Sequence, residues 1–220
     1  MKRLNNEKGV ALVMVLILSA IMLSIMAALV YMLTAATQMS GIEKRYKSTL
    51  EAAKGGSDIF YQIIGTRGGT ADMTNWINTL VPSGSVVPVV GYELGTFGTC
   101  KGRPRGSAVD YFGMEAKLNT ATATWTNCNT TTQIDTANNT TYDMKLTFGL
   151  GIGNNYNVYI KVVDTVEGNT GSDMGLTKSG VVNNTGEVTA VNQPYLYAIE
   201  VQSENTDTRE RAKYSILYEY

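Results

Sequence analysis

The chain has 220 residues, 18 basic and 19 acidic side chains, a formal charge of −1 and no histidine. Without histidine it lacks the commonest general base and the commonest metal ligand, and no basic stripe or patch interleaved with aromatics offers a footprint for nucleic acid. The small net charge hides a split: Lys2, Arg3 and Lys8 against Glu7 give the first nine residues +2, so residues 10–220, with 15 basic and 18 acidic side chains, carry −3.

From Gly9 to Ile42 there are 34 residues without a charge, and Val10–Leu33 reads VALVMVLILSAIMLSIMAALVYML. As a helix this run is long enough to cross a bilayer's hydrocarbon core of about 30 Å. In lipid each peptide group must be bonded within its own segment, and a run rich in Leu, Met and Ala does this as a helix. The basic leader MKRLNNEKG is expected to stay cytoplasmic, with the chain from Thr34 onward on the far side. A secretory signal has an apolar core of roughly 7–15 residues and then a small-x-small cleavage site. Here the run is about twice that, with Ala27 and Ala28 embedded in it, so cleavage after the run is not expected.

EKG followed directly by VALVMVLILSAIMLSIMAAL and a polar helical continuation resembles the N-terminus of type IV pilin-like proteins, most closely the PilX-type minor pilins of bacterial type IV pilus systems. The resemblance covers about residues 2–60, with a weaker likeness at the C-terminus. It implies a leader ending in Gly, cut on the cytoplasmic side by a prepilin peptidase that also methylates the new N-terminus. The cut then falls between Gly9 and Val10. Major pilins have Phe at the first mature position and Glu at the fifth, whereas this chain has Val10 and Met14. PilX-like proteins share both departures, and the missing acid also resembles the tip pseudopilins of type II secretion. In the family that carboxylate pairs with the methylated amine of a neighbouring subunit. An unpaired acid in mid-bilayer costs about 2.5–3.5 kcal/mol or more; Met14 escapes this cost, which suits a minor, priming or tip-associated subunit. Met14 also simply fits an apolar helix.

After Leu33, TAATQMSG turns polar without proline. The stretch IEKRYKSTLEAAKGGSDIFYQIIG keeps a helical period, with Ile42, Tyr46, Thr49, Leu50, Ala53, Ile59, Phe60, Ile63 and Ile64 on one face. Glu43, Lys44, Lys47, Glu51, Lys54 and Asp58 occupy the other, where Glu43–Lys47 and Glu51–Lys54 have the spacing of helical ion pairs. One helix is expected from about Val10 to Ile64, about 80 Å long at 1.5 Å per residue. Gly41, Gly55 and Gly56 are its weak points, each costing about 1 kcal/mol relative to Ala.

About 155 residues remain, the ordinary size of one globular domain. Asp72–Leu80 has the pattern of a short helix capped by Asp72. From Val81 to Arg105 short strands and turns are expected, with Val86–Tyr92 the best strand. Residues 119–142 contain ten Thr and five Asn and read as exposed hairpin edges or loops outside the core, either solvated or offering a hydroxyl-rich adhesive surface. The Asn-x-Thr triplets at Asn129, Asn138, Asn139 and Asn183 match the glycosylation pattern and are incidental in a bacterial protein. Thr141–Leu150 alternates Tyr142, Met144, Leu146 and Phe148 against Asp143, Lys145 and Thr147, as a strand with one face in the core does. Tyr156–Asp164 is a second strand, and Tyr195–Ser203 and Arg209–Tyr220 form a closing hairpin about ENTDT. An antiparallel sheet against the C-terminal half of the helix follows, giving an α+β, pilin-like fold: leader 1–9, helix 10–64 with its membrane segment at 10–33, and an extracytoplasmic head at 65–220.

Cys100 and Cys128 are the only cysteines. In an exported domain they are expected to bridge, closing a loop worth about 3–4 kcal/mol on the chain-entropy model. Asp164, Glu167, Asn169 and Asp173 place hard oxygens on a Gly-rich turn, a weak calcium pattern without the EF-hand spacing. No motif marks a nucleophile or a carboxylate pair, and Gly149-Leu-Gly-Ile-Gly153 lacks the GxGxxG spacing. No enzyme activity and no cofactor are expected. The expected role is that of a minor pilin in the bacterial inner membrane and cell-surface pilus, partnered by other pilins, the prepilin peptidase and the membrane, and not by nucleic acid. The alternatives are a minor pseudopilin of type II secretion and a single-pass anchored extracytoplasmic binding protein.

Overall fold

The apolar run and its polar continuation form one unbroken helix, α1 (Glu7–Gly65), in a computed structural model that describes residues 7–69, 89–149, 155–168 and 194–220. The chain divides into two compact units, Met1–Lys47 and Ser48–Tyr220. In the first unit every large apolar side chain from Val10 to Leu33 is more than half exposed, and among the described residues this is the one helix long and apolar enough to cross a membrane. Two of its hydroxyls bond to the helix itself: Ser19 donates to the Leu16 carbonyl (2.9 Å) and Thr34 to those of Val30 (3.0 Å) and Tyr31 (2.9 Å), so at these two positions the hydroxyl needs no partner outside the helix.

In the second unit α1 buries one stripe. Thr49, Ala53, Phe60, Ile63 and Ile64 have no exposed surface, whereas Ile42 and Tyr46, expected on the same stripe, are 63% and 46% exposed in the first unit. The helix ends by a left-handed reversal at Arg67 (φ 55°) and Gly68 (φ 71°), as helix C-caps do. Arg67 is held in that unusual conformation from several sides. Its guanidinium lies 4.4 Å from the Tyr195 ring centroid and 5.2 Å from that of Tyr220, and Asn119 Nδ2 donates to its carbonyl (2.7 Å).

The sheet is antiparallel with strand order β1-β4-β5-β6-β7. Its strands are β1 (Val89–Leu94), β4 (Met144–Gly149), β5 (Asn155–Val166), β6 (Leu196–Asn205) and β7 (Arg211–Glu219). Between β1 and β4 lie a small hairpin, β2 (Lys101–Gly102) with β3 (Tyr111–Phe112), and a short helix, α2 (Gly113–Asn119). The strand expected at Val86–Tyr92 thus lies at β1, and residues 86–88 are outside the described residues. So are the helix expected at Asp72–Leu80, residues 150–154 and the part of the expected acidic turn from Asn169 onward. The hairpin and α2 carry no sequence signal because strands of two residues and a helix of seven are too short for a period to register.

One face of the sheet receives α1. Met144, Leu146, Val158, Ile160, Ile199 and Val201 share a buried cluster with Phe60, Ile63 and Ile64, each large side chain contributing about 1.5–3 kcal/mol by leaving water. Gly56 is the point of closest approach: a Cβ there would sit 2.5 Å from Val158 Cγ1, whereas at Gly55 or Gly41 it would meet nothing within 4 Å. The expected weak point at Gly56 is therefore a packing requirement. Alongside it Tyr214 donates to Ser57 Oγ (2.9 Å), and the Tyr61 and Tyr218 rings stack at 4.3 Å.

The other face carries Tyr159 and Lys161 on β5, with Gln202 and Glu200 their cross-strand partners on β6. The Thr- and Asn-rich segment is mostly exposed loop, as its composition indicates, but parts of it rest on this face. Ile134 packs with Tyr142 and Tyr159 in a second buried cluster, and Lys213 donates to the Thr132 carbonyl (2.6 Å). The segment can lie on the sheet because its side chains bond its own backbone. Asn129 Oδ1 accepts from Thr131 N–H (3.1 Å), Asp135 Oδ1 from Ala137 N–H (3.0 Å) and Asn138 Oδ1 from Thr140 N–H (3.0 Å), the local turns these residue types favour. Asp143 is a correction. Expected on the solvent side, it is 4% exposed, because it precedes the first residue of β4 and so escapes the strand's alternation.

Candidate functional site

The N-terminal stretch of α1 holds the residues singled out by the sequence. Gly9 and Val10 lie within the helix, Val10 62% and Met14 65% exposed. A helical surface this apolar, with no protein laid against it, is chemically suited to lipid or to other apolar helices.

Cys100 and Cys128 are joined by a disulfide. It ties the residue before β2 to the Thr- and Asn-rich segment, reinforced by paired backbone bonds between Lys101 and Thr126 (3.1 and 2.8 Å). The small hairpin is stapled again by Asp110, which accepts from Arg103 Nε (2.7 Å) and Lys101 Nζ (3.2 Å). Hydrogen bonds from Arg103 first and Lys101 second hold its carboxyl below the usual range.

Beside the disulfide opens a cleft of about 550 Å³ whose lining includes Phe97, Cys100, Lys117, Asn129 and Asp143. Its floor is a polar group that sequence reasoning missed. Lys117, on α2 and 1% exposed, donates to both Asp143 oxygens (2.7 and 3.0 Å) and to the carbonyls of Val162 (3.0 Å) and Asn129 (3.1 Å). Asp143 Oδ2 also accepts from Val162 N–H (2.7 Å). A buried ion pair survives when its remaining bonding capacity is met, as it is here. The two residues are 26 positions apart in sequence, with no motif between them, so no sequence signal pointed to the pair. Lys161, also fully buried, donates to Asn129 Oδ1 (2.7 Å) and Thr131 Oγ1 (3.1 Å). Burial first, and the charge of Lys117 second, lower its pKa to about 8.

Of the acidic set, Asp164 is exposed on β5 and Glu167 Oε1 accepts from the Arg105 N–H (3.2 Å). Asn169 and Asp173 lie outside the described residues. Among the described residues no three His, Cys, Asp or Glu side chains gather closely enough to hold a metal ion. No family model, curated protein or solved structure matches this chain.

Proposed function

We propose that this chain is a PilX-like minor pilin, working through helix-to-helix packing with other pilins in the inner membrane and in a pilus. The observation that carries the reading is the division of labour along α1. An exposed apolar stretch begins directly after Glu7-Lys8-Gly9, and without a break in the helix it becomes a stripe buried in an α+β head. The first stretch suits lipid before assembly and neighbouring apolar helices after it, since both offer the same non-polar surroundings. Met14 adds the asymmetry. With no carboxylate at the fifth mature position, the subunit needs no partner amine to leave the membrane, while its own new N-terminus can still receive an acid from another pilin.

Mass spectrometry of the membrane-extracted N-terminus tests this. The mature chain should start at Val10, carry a methylated amine and revert to the unprocessed form in Gly9→Leu. An intact Met1 start in cells with an active prepilin peptidase overturns the reading. The minor role has its own test in quantitative mass spectrometry of sheared fibres. The protein should be sparse relative to the principal subunit, and Met14→Glu should move it toward the fibre body or leave it in the membrane. Abundance equal to that of the principal subunit defeats the argument from Met14.

A further inference from the structure

Lys161 sits mid-strand in β5 with no exposed surface, and the oxygens that receive its amine belong to an amide and a hydroxyl. An ammonium in such a place loses its hydration without gaining a bonded carboxylate, which favours the neutral amine. With a pKa near 8, on the order of a tenth of the population is neutral at pH 7. A neutral, desolvated lysine amine is a nucleophile.

Its electrophile is already in place. Asn129 Oδ1 accepts three donors: Lys161 Nζ (2.7 Å), the Thr131 hydroxyl (2.8 Å) and the Thr131 N–H (3.1 Å). Two of these donors remain on the oxygen if the amine turns to the carbon, as in an oxyanion hole. The amide is held in orientation from its other end, where Nδ2 donates to the Thr140 carbonyl (3.1 Å). A C=O bond is about 1.2 Å long, so Nζ lies within about 3.9 Å of Asn129 Cγ, close to the ~3–3.5 Å of a near-attack arrangement. The Thr131 hydroxyl bonds both to the amine (3.1 Å) and to the amide oxygen (2.8 Å), closing a triangle through which a proton can pass.

We propose that Lys161 and Asn129 are a self-modification site that forms an intramolecular isopeptide bond. Neutral Nζ adds to Cγ, and the electron pair of the C=O bond moves to Oδ1, held by the Thr131 donors. The Thr131 hydroxyl relays a proton from Nζ. Passed through the hydroxyl to Oδ1 and on to Nδ2 of the same tetrahedral carbon, that proton makes Nδ2 a leaving amine; the electron pair on Oδ1 then re-forms the C=O bond, the Cγ–Nδ2 bond breaks with its pair on nitrogen, and ammonia leaves. One amine and one primary amide become one secondary amide and ammonia, with no oxidant, metal or cofactor. Asp143, saturated by Lys117 and the Val162 N–H, is not needed as a base. The product ties the segment covering the outer face of the sheet to the strand beneath it, independently of which machine the subunit serves.

The test is peptide mass spectrometry of the full chain extracted in detergent, reduced, alkylated and digested with trypsin. Trypsin cannot cut after an acylated Lys161. Residues 118–145 should therefore appear covalently joined to residues 146–178, with the combined mass lower by one ammonia than that of the two peptides. Lys161→Arg should release 118–145 as an unlinked peptide, and Thr131→Val should lower the linked fraction in freshly synthesised protein. Cleavage after Lys161 in the wild-type chain with Asn129 intact overturns the proposal. So does loss of ammonia confined to the 118–145 peptide, which is cyclisation of an asparagine on its own backbone. An unchanged linked fraction in Thr131→Val removes the hydroxyl relay.

Discussion

The two faces of the sheet are covered by opposite means. Toward α1 the contact is apolar and regular: a helical stripe of Phe60, Ile63 and Ile64 meets the alternating side chains of β4, β5 and β6. The middle of the other face is covered by a segment with little regular secondary structure, anchored by lysines, amides and hydroxyls, with Ile134, Tyr142 and Tyr159 as a small apolar seam, while Leu217 on the edge strand β7 stays exposed. Apolar packing is non-directional and tolerates small adjustments at each contact. The polar cover depends on a few directed bonds, each expensive to leave half made. The contrast predicts graded losses from Phe60, where neighbours relax, and abrupt losses from Lys117, where a charge is stranded.

The largest effects should come from one substitution on each side. Lys117→Met leaves the Asp143 carboxylate buried without its cation and should cost about 3–5 kcal/mol. Phe60→Ala should cost a similar ~3–5 kcal/mol by opening a cavity. The two separate on repair: Lys117→Met with Asp143→Leu should recover much of the loss, because the stranded charge is gone. Denaturant unfolding followed by tyrosine near-ultraviolet dichroism in detergent reads all three, and a double variant no better than Lys117→Met contradicts the assignment.

Next comes the clamp on the polar cover. Replacing Cys100 and Cys128 together by Ser should cost about 2–4 kcal/mol, and limited proteolysis should then cut first within residues 119–142. A protease pattern unchanged from wild type would mean that the side-chain bonds hold the segment unaided.

The sheet's polar face also predicts a pH response. In Asn129→Ala, where Lys161 cannot be acylated, the folded lysine still titrates below its unfolded value of about 10.4. The groups around it are Lys117, Asp143, Lys213 and Glu200. Between pH 8 and 10 the unfolded chain binds more protons than the folded one at this site, so stability rises with pH. Urea midpoints across that window should climb in this variant relative to Lys161→Met, and parallel curves would contradict the lysine's lowered pKa.

The smallest effects sharpen the apolar side. Gly56→Ala should cost about 1–3 kcal/mol by pushing Val158 aside, while Gly55→Ala, one residue away with open space around its Cβ, should gain up to about 1 kcal/mol of helix propensity. Thermal midpoints moving in opposite directions for the two variants would verify that Gly56 marks the contact with β5.

Whatever repeats along the chain is legible from the residues alone. The apolar run at 10–33, the stripe through Phe60 and Ile64, the alternation in β4 and the closing hairpin are periodic, and a period is visible without knowing what it packs against. The cysteine pair was legible for another reason, since two cysteines offer one intramolecular bridge. Tertiary structure alone decided the rest. Lys117, Asp143 and Lys161 come from a short helix, a strand entrance and a mid-strand position, and none has a local partner that would mark it as buried. The Thr- and Asn-rich segment has the composition of a solvated loop and most of its side chains are exposed, yet Ile134 and the groups that bond the lysines of β5 and β7 rest on the sheet. Composition reports how many polar groups a segment carries, and only the folded chain shows whether water or protein satisfies them.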